Sequence, residues 1–335
     1  MKILLDAMGG DKAPESQVAG AVRAARELPV EVVMVGQRDA IERSLSNYHK
    51  PPPNLSIVHA PEVIGMHESP AVSVRRKRES SISVGLELLK RREVDAFISA
   101  GNTGAVVSAS TLLVGLLPSI ERPGIAILLP GMQGDTLLID VGANIDAKPL
   151  HLLQYALMGE AYVRCLLGTE RPTVGLLNVG EEATKGTEFI KETYGMLEAS
   201  GVNFVGNVEG HDIFSGEYDV IVCDGFVGNV ALKTAESLAH AINQLLKRSL
   251  TRSPFRRLGA WLARDAFRQL RQEVDYAEHG GAPLLGVDGI SIIAHGASNT
   301  KAIKNAIRVA YESVRRDLNR HMVEAIRTYT EHVRV

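Results

Sequence analysis

One device recurs between Asp95 and Asn299 and constrains the fold more than any other feature of the chain. An apolar strand runs into a short loop of Gly, Asn, Asp, Thr or Ser, and a helix follows. The copies are Asp95–Gly104, Ile139–Asn144, Asn178–Gly186 and Cys223–Asn229. Strands that hand over to helices in this way build a mostly parallel sheet with helices packed on it. Helix N-termini carry unpaired N–H groups and a partial positive charge. Several of them meeting at one sheet edge would form an anion site, and that convergence is the expectation the sequence raises.

Short β-branched runs mark strands at Lys2–Asp6, Glu31–Val35, Leu55–His59, Ala96–Ser99, Ile125–Leu129, Thr136–Val141, Thr173–Asn178, Asn203–Val205, Val220–Cys223 and Ile290–Ala294. Several are apolar at consecutive positions, as expected of strands buried on both faces. Helical patterns cover Glu15–Leu28, Ser83–Arg92, Thr103–Leu116, Pro149–Leu167, Lys185–Ala199, Val227–Leu250 and Ser298–Val333. The reading is a mostly parallel sheet covered by helices, and 335 residues allow one large α/β domain or two smaller ones.

Composition removes several classes. The 335 residues carry a formal net charge of −2, so no basic field invites nucleic acid. Two cysteines, Cys165 and Cys223, supply neither a disulfide framework nor a thiolate metal site, and fit a reducing cytoplasm. A strand is expected from Lys2 onward, with no signal peptide before it. The most apolar run, Ala105–Leu117, is short of the roughly 20 residues of a spanning helix. There is no Gly-x-x-x-x-Gly-Lys-Ser/Thr, no Gly-x-Gly-x-x-Gly at the first turn, no Gly-x-Ser-x-Gly and no His/Cys cluster. Nucleotide hydrolysis, dinucleotide binding, an acyl-serine route and a metal route therefore lack candidates, and no cofactor is expected.

The candidate residues sit in the loops. Gly101 and Gly104 permit close backbone approach, while Asn102 and Thr103 add donors; the plain structural alternative is Thr103 as an N-cap. Lys185 falls at an expected helix start, where a cation opposes the helix dipole and so suggests a task such as pairing an anion. Asp224 suits an Asx-turn, and Asn229 has an amide to present. His295 is at a strand end, and His279 precedes a glycine-rich loop able to form a wall or lid. Cys223, on a buried strand with no histidine near it in sequence, reads as core.

Residues 251–276 depart from the alternation, being helical with no strand between. Arg257, Arg264, Arg268 and Arg271 fall opposite a face of Phe255, Leu258, Leu262, Ala266, Leu270 and Val274, with Trp261 at its edge. Either this helix packs on the core or a second subunit, or it docks on anionic lipid or an acidic protein.

Several motifs together resemble the PlsX-type phosphate acyltransferases of bacterial phospholipid synthesis. They are Asp6–Asp11, Arg75–Ser81, Ser99–Ala105, Asp140–Asn144, Tyr276–Val287 with its Gly-Gly-Ala-Pro-Leu-Leu-Gly string, and Ala294–Asn299. The resemblance runs through essentially the whole chain, in order. It implies a three-layer αβα, isopropylmalate-dehydrogenase-like fold in one α/β catalytic domain over residues 1–335, with the helical segment 251–276 inserted in it, a homodimer, and peripheral association with the cytoplasmic membrane. It also implies transfer of a fatty acyl group from acyl carrier protein to inorganic phosphate. On that basis Asn102, Thr103, Gly104 and Asn144 are expected to hold phosphate, and Lys185 and Asn229 to contact it or the oxyanion. Asp140, Asp224 and His295 are expected in support, and Arg256, Arg257, Leu258, Trp261, Arg264 and Arg268 to meet carrier or membrane. The rivals are a phosphotransacetylase acting on acyl-CoA, a decarboxylating dehydrogenase, and a non-catalytic carrier- or lipid-binding scaffold.

Overall fold

A computed structural model describes residues 1–267 and 280–333. Arg268, Arg271 and His279 lie outside the described residues. The strands are β1 (Lys2–Asp6), β2 (Glu31–Gly36), β3 (Leu55–His59), β4 (Ala96–Ser99), β5 (Gly124–Pro130), β6 (Asp135–Ile139), β7 (Thr173–Leu177), β8 (Asn203–Val208), β9 (Val220–Val222), β10 (Ala282–Leu285) and β11 (Ile290–Ile293). They form one sheet in the order β3-β2-β1-β4-β11-β10-β5-β6-β9-β7-β8.

Direction within this sheet decides where the loops go. From β3 to β11 all neighbours are parallel. β10 is antiparallel to both β11 and β5, and β5 is antiparallel to β6. Beyond it β6, β9, β7 and β8 are again parallel to one another. The second parallel group therefore runs opposite to the first. The chain leaves β1, β4 and β11 at one edge of the sheet, and leaves β6, β9 and β7 at the other.

Both faces are covered. Ile3, Leu5, Met34, Ile98, Leu137, Ile139, Leu176, Val222 and Ile292 belong to one core cluster. On that side lie α1 (Glu15–Glu27), α6 (Pro149–Tyr162), and the C-terminal pair α10 (Thr300–Arg315) and α11 (Leu318–Val333). The alternate residues Leu4, Val33, Phe97, Leu138, Ile221 and Ile293 form the second cluster, with α4 (Ser81–Lys90) and α5 (Thr103–Ala109) over them. This alternation across the pleat is why the strand sequences read as unbroken apolar runs. The remaining helices are α2 (Arg38–Leu45), α3 (Pro70–Arg76), α7 (Glu188–Glu198), α8 (Gly225–Leu250) and α9 (Pro254–Leu262).

Four expectations need correction. The segment read as one helix from Thr103 to Leu116 is α-helical only to Ala109; a π turn, Ser110–Val114, follows and ends at Gly115 with φ +95°. The C-terminal helix is broken between Arg315 and Leu318, where Asp317 takes a left-handed φ of +53°. Lys185 is not in a helical first turn: Thr187 caps α7 by accepting from Ile190 N–H, and Gly186 before it has φ +88°. The glycine-rich string at 280–286, read as a loop, contains strand β10. Its proline hid it, because a proline in mid-strand removes a ladder donor. Ala282 and Pro283 pair with β11 and Leu284 and Leu285 with β5, so Pro283 stands where the strand changes partner.

Glycines in helices divide by what surrounds them. A Cβ on Gly85 in α4 would lie 2.5 Å from the Phe97 ring and 2.9 Å from Leu4, whereas one on Gly195 in α7 meets nothing within 4 Å. Gly85→Ala should lower stability by about 1–3 kcal/mol through overpacking. Gly195→Ala should raise it by about 0.5–1 kcal/mol by limiting the unfolded chain. Urea unfolding of both variants checks this, and equal effects would contradict the packing described.

Candidate active site

The first edge is keyed together by Asp6. Its carboxylate is buried at the end of β1, where Oδ2 accepts from the Ser99 hydroxyl at 2.6 Å and Oδ1 from Met8 N–H at 3.0 Å. Ser99 Oγ in turn accepts from Gly101 N–H at 3.0 Å, which ties the loops after β1 and β4. Burial pushes the Asp6 pKa up, and the hydroxyls of Ser99 and Ser81 draw it back. The two loops touch backbone to backbone: a Cβ on Gly9 would lie 2.5 Å from Gly101 N. The loop after β11 joins them through Asp11 N–H, which donates to Gly296 O at 2.8 Å.

Asn102 lies at this edge, and its side chain is occupied. Oδ1 caps α5 by accepting from Ala105 N–H at 3.0 Å. Nδ2 donates to the carbonyls of Gly65, Met66 and Glu68 at 3.1–3.3 Å. The residue is thus a post that holds loop 65–68 against α5. Gly104 serves the same packing, since a Cβ there would lie 2.6 Å from Pro70. Thr103 is exposed beside them, and His295 Nδ1 accepts from Ala297 N–H at 3.1 Å in the neighbouring loop. Glu68 closes the group, accepting from Lys77 Nζ at 2.6 Å, Gly65 N–H at 2.8 Å and the Ser73 hydroxyl at 2.9 Å.

The opposite edge has its own buried carboxylate. Asp140 is 0% exposed. It accepts four backbone N–H bonds, from Ile125, Gly142 and Ala143 on Oδ1 and from Asn144 on Oδ2, at 2.8–3.0 Å. Burial raises its pKa, and those N–H groups, Ala143 first, oppose the rise. The loop after β6 therefore folds around its own anion. Asn144 Nδ2 donates to Pro123 O at 2.6 Å and to the Tyr155 hydroxyl at 2.7 Å, and Asn144 O accepts from Gly225 N–H at 2.9 Å. Asp224 makes the expected Asx-turn and caps α8, its Oδ1 accepting from Phe226 and Val227 N–H at 3.0 Å each. Cys223 is buried with its thiol pKa pushed well up, as a core residue should be. The candidate donors at this edge without a partner among the described residues include the half-buried amide of Asn229 and the exposed ammonium of Lys185.

The candidates therefore divide. Asn102, Thr103, Gly104 and His295 share one edge; Asp140, Asn144, Lys185, Asp224 and Asn229 share the other. The expectation of a single convergent edge is overturned by the reversal at β10 and β5, which apolar periodicity does not encode. Nor are the helix N-termini bare, since Ser80, Asn102, Thr187, Asp224 and Asn299 each cap the helix that follows. Sequence reasoning assigned no task to Asp6, Glu68 or Tyr155. Asp6 carried a usable signal, an acid closing the apolar run Ile3–Leu5; Tyr155, between Gln154 and Ala156 in α6, carried none.

Comparison with known proteins adds to this geometry. A family model described as "Fatty acid synthesis protein" matches residues 1–321. A phosphate acyltransferase of Desulfitobacterium hafniense is 52% identical over 315 residues, 94% of each chain. One of Syntrophotalea carbinolica is 49% identical over 321 residues, 96% of this chain and 92% of its relative. Among solved structures, the phosphotransacetylase EutD of Staphylococcus aureus superposes with a TM-score of 0.64 at 13% identity, covering 94% of each chain. A phosphotransacetylase of Streptococcus pyogenes gives 0.64 at 16%, again over 94% of each. A 4-hydroxythreonine-4-phosphate dehydrogenase of Klebsiella pneumoniae gives 0.55 at 14%, over 94% of this chain and 99% of that one. At such identities these structures share the fold.

The Glu68 cluster has a pH signature. The bond from Lys77, then those from Gly65 and Ser73, lower the Glu68 pKa from 4.5 to about 2. A depressed carboxylate pKa stabilises fully above the unfolded value, and that stabilisation drains as pH falls from 4.5 toward about 2. Glu68→Gln should lower the Tm at neutral pH and flatten the Tm–pH curve across that window. A curve parallel to wild type would dismiss the cluster as a stabilising element.

Proposed function

The chain belongs to the fatty acid synthesis protein family, whose curated relatives are phosphate acyltransferases, and from that premise we propose that its acyl donor is a fatty acyl-acyl carrier protein and that the acyl phosphate formed feeds phospholipid synthesis. The chain is an acyltransferase, and its chemistry needs little acid–base help. Phosphate near neutral pH is already an anionic nucleophile, and a thiol with a pKa near ~8.5 leaves readily. A phosphate oxygen attacks the thioester carbonyl, the C–S bond breaks, and the thiolate departs to leave acyl phosphate. The protein must position the anion, stabilise the tetrahedral oxyanion and keep water out.

The observation that carries the assignment of roles is which donors remain uncommitted. Lys185 and Asn229 have no side-chain partner among the described residues at one edge, and we assign them to phosphate or the oxyanion. Thr103 and the N–H groups of Thr103 and Gly104, the first two positions after the Asn102 cap, are assigned to phosphate at the other. Asn102 and Asn144 take the narrower task of holding their loops, because their amides are already engaged. A homodimer suits this division, since a second copy can bring its β6–β9–β7 edge to the β1–β4–β11 edge of the first.

The segment after α8 supports a docking role. No residue of α9 is buried; Phe255 is 87%, Leu258 56% and Trp261 58% exposed. Arg256, Arg257 and Arg264 are exposed beside them, with the Arg264 guanidinium 5.2 Å from the Trp261 ring centre. An apolar face with arginines fits peripheral contact with an anionic membrane from the cytoplasm, or an acidic carrier protein. Among the described residues no helix is long and apolar enough to cross a membrane.

Phosphate-dependent release of free thiol tests the assignment, run in parallel with acyl-acyl carrier protein and acyl-CoA. Faster release from the carrier thioester is expected; preference for acyl-CoA would favour the phosphotransacetylase reading. Lys185→Ala should lower turnover about 10²–10³-fold with folding intact, and unchanged turnover would remove Lys185 from the mechanism. Arg264→Glu should raise KM for carrier more than for phosphate, while Leu258→Glu should abolish sedimentation with anionic vesicles. Equal KM changes, or undiminished sedimentation, would assign the segment elsewhere.

A further inference from the structure

Among the described residues nothing hydrogen-bonds the Asn229 side chain, so its position depends on what packs around it. Three features fix those surroundings. The Asp140 carboxylate gathers the N–H groups of Gly142, Ala143 and Asn144 and gives the loop one shape. Asn144 then fastens the far end of that loop, through Pro123 O to the start of β5 and through the Tyr155 hydroxyl to α6. Finally α8 is seated on Asp140. A Cβ on Gly225 would lie 2.6 Å from Asp140 Oδ2, and one on Gly228 would lie 2.0 Å from Asp140 O. These two glycines, three residues apart, share a helix face and allow the first turn of α8 to press on the hub.

Asn229 follows on that turn, and the loop touches it directly. Gly142 has φ +135°, and a Cβ there would lie 2.9 Å from Asn229 Nδ2. Nothing larger than glycine fits without moving the amide.

We propose that Asp140, Gly142 and Tyr155 are positioning residues that hold the Asn229 amide at the point where the reaction needs it. The proposal rests on the reading that Asn229 contacts the reacting groups. It assigns Tyr155 a task that nothing in its sequence neighbourhood suggested. Tyr155 is fully buried and its phenol pKa is driven up by burial, so it acts as a neutral hydrogen-bonding post.

The test is a double-mutant cycle in the thiol-release assay. Gly142→Ala should lower kcat about 10²-fold, the scale of a misplacement near 1 Å, with KM for phosphate and for the acyl donor held. Tyr155→Phe should lower kcat in the same way by a smaller factor. In an Asn229→Ala background neither change should have any further effect, because the group they position is gone. Full activity of both single variants, or losses that multiply with Asn229→Ala, would overturn the proposal while leaving Asn229 in its role. Unchanged kcat for Asn229→Ala itself would overturn the reading of Asn229, and the proposal with it. Urea unfolding of each variant separates loss of fold from loss of aim; if Gly142→Ala fails to fold, the Tyr155→Phe cycle alone decides.

Discussion

Two carboxylates, Asp6 and Asp140, close buried strands with no lysine or arginine in ion-pair distance among the described residues. Ionising such a group in the protein interior is expensive unless neutral donors surround it. Both acids meet that demand with the loop that leaves their own strand and with a neighbouring strand or loop. Asp6 takes Met8 N–H and the Ser99 hydroxyl; Asp140 takes four N–H groups from β5 and the loop after β6. The shape of each edge follows from how its donors must converge on the buried acid. Glycines at 9, 101, 225 and 228 then let the loops and α8 close on that arrangement with no side chain between.

What the sequence revealed is what burial leaves in it. Strands at Lys2–Asp6, Leu55–His59 and Ala96–Ser99 fall where β-branched runs place them, and α1 and α8 begin within two residues of expectation. Burial imposes periodicity, and periodicity can be read. Direction is different: β5 and β10 run against their neighbours, yet their residues are as apolar as those of parallel strands. That is why the loops could be found while the edge each one joins could not. The roles of the asparagines were hidden for a related reason. Whether an amide faces a ligand or the carbonyls of a distant loop depends on tertiary approach, and Asn102 meets the carbonyls of residues 34 to 37 positions earlier.

The chemistry assigned to the family asks for orientation more than for proton transfer, and the architecture matches it. Near the second edge Asp140 is committed to four backbone N–H groups, while the buried Tyr155 and Cys223 are both driven toward their neutral forms. Neither Tyr155 nor Cys223 is prepared to exchange a proton near neutral pH. The groups proposed to act are an amide, an ammonium and backbone N–H, which attract an anion by charge and hydrogen bonding.

Helix α8 extends 26 residues, and only Gly225 and Gly228 among them are buried. Beyond its seat on Asp140 it runs outward, with Val230, Leu238, Ile242 and Leu245 exposed along it. Each residue added to or removed from that stem would rotate everything beyond it by about 100° and shift it by about 1.5 Å. The stem therefore works as an indexed shaft. Changes of about seven residues, close to two full turns, preserve the bearing of α9 and its arginines relative to the body, whereas a change of one or two points that face away.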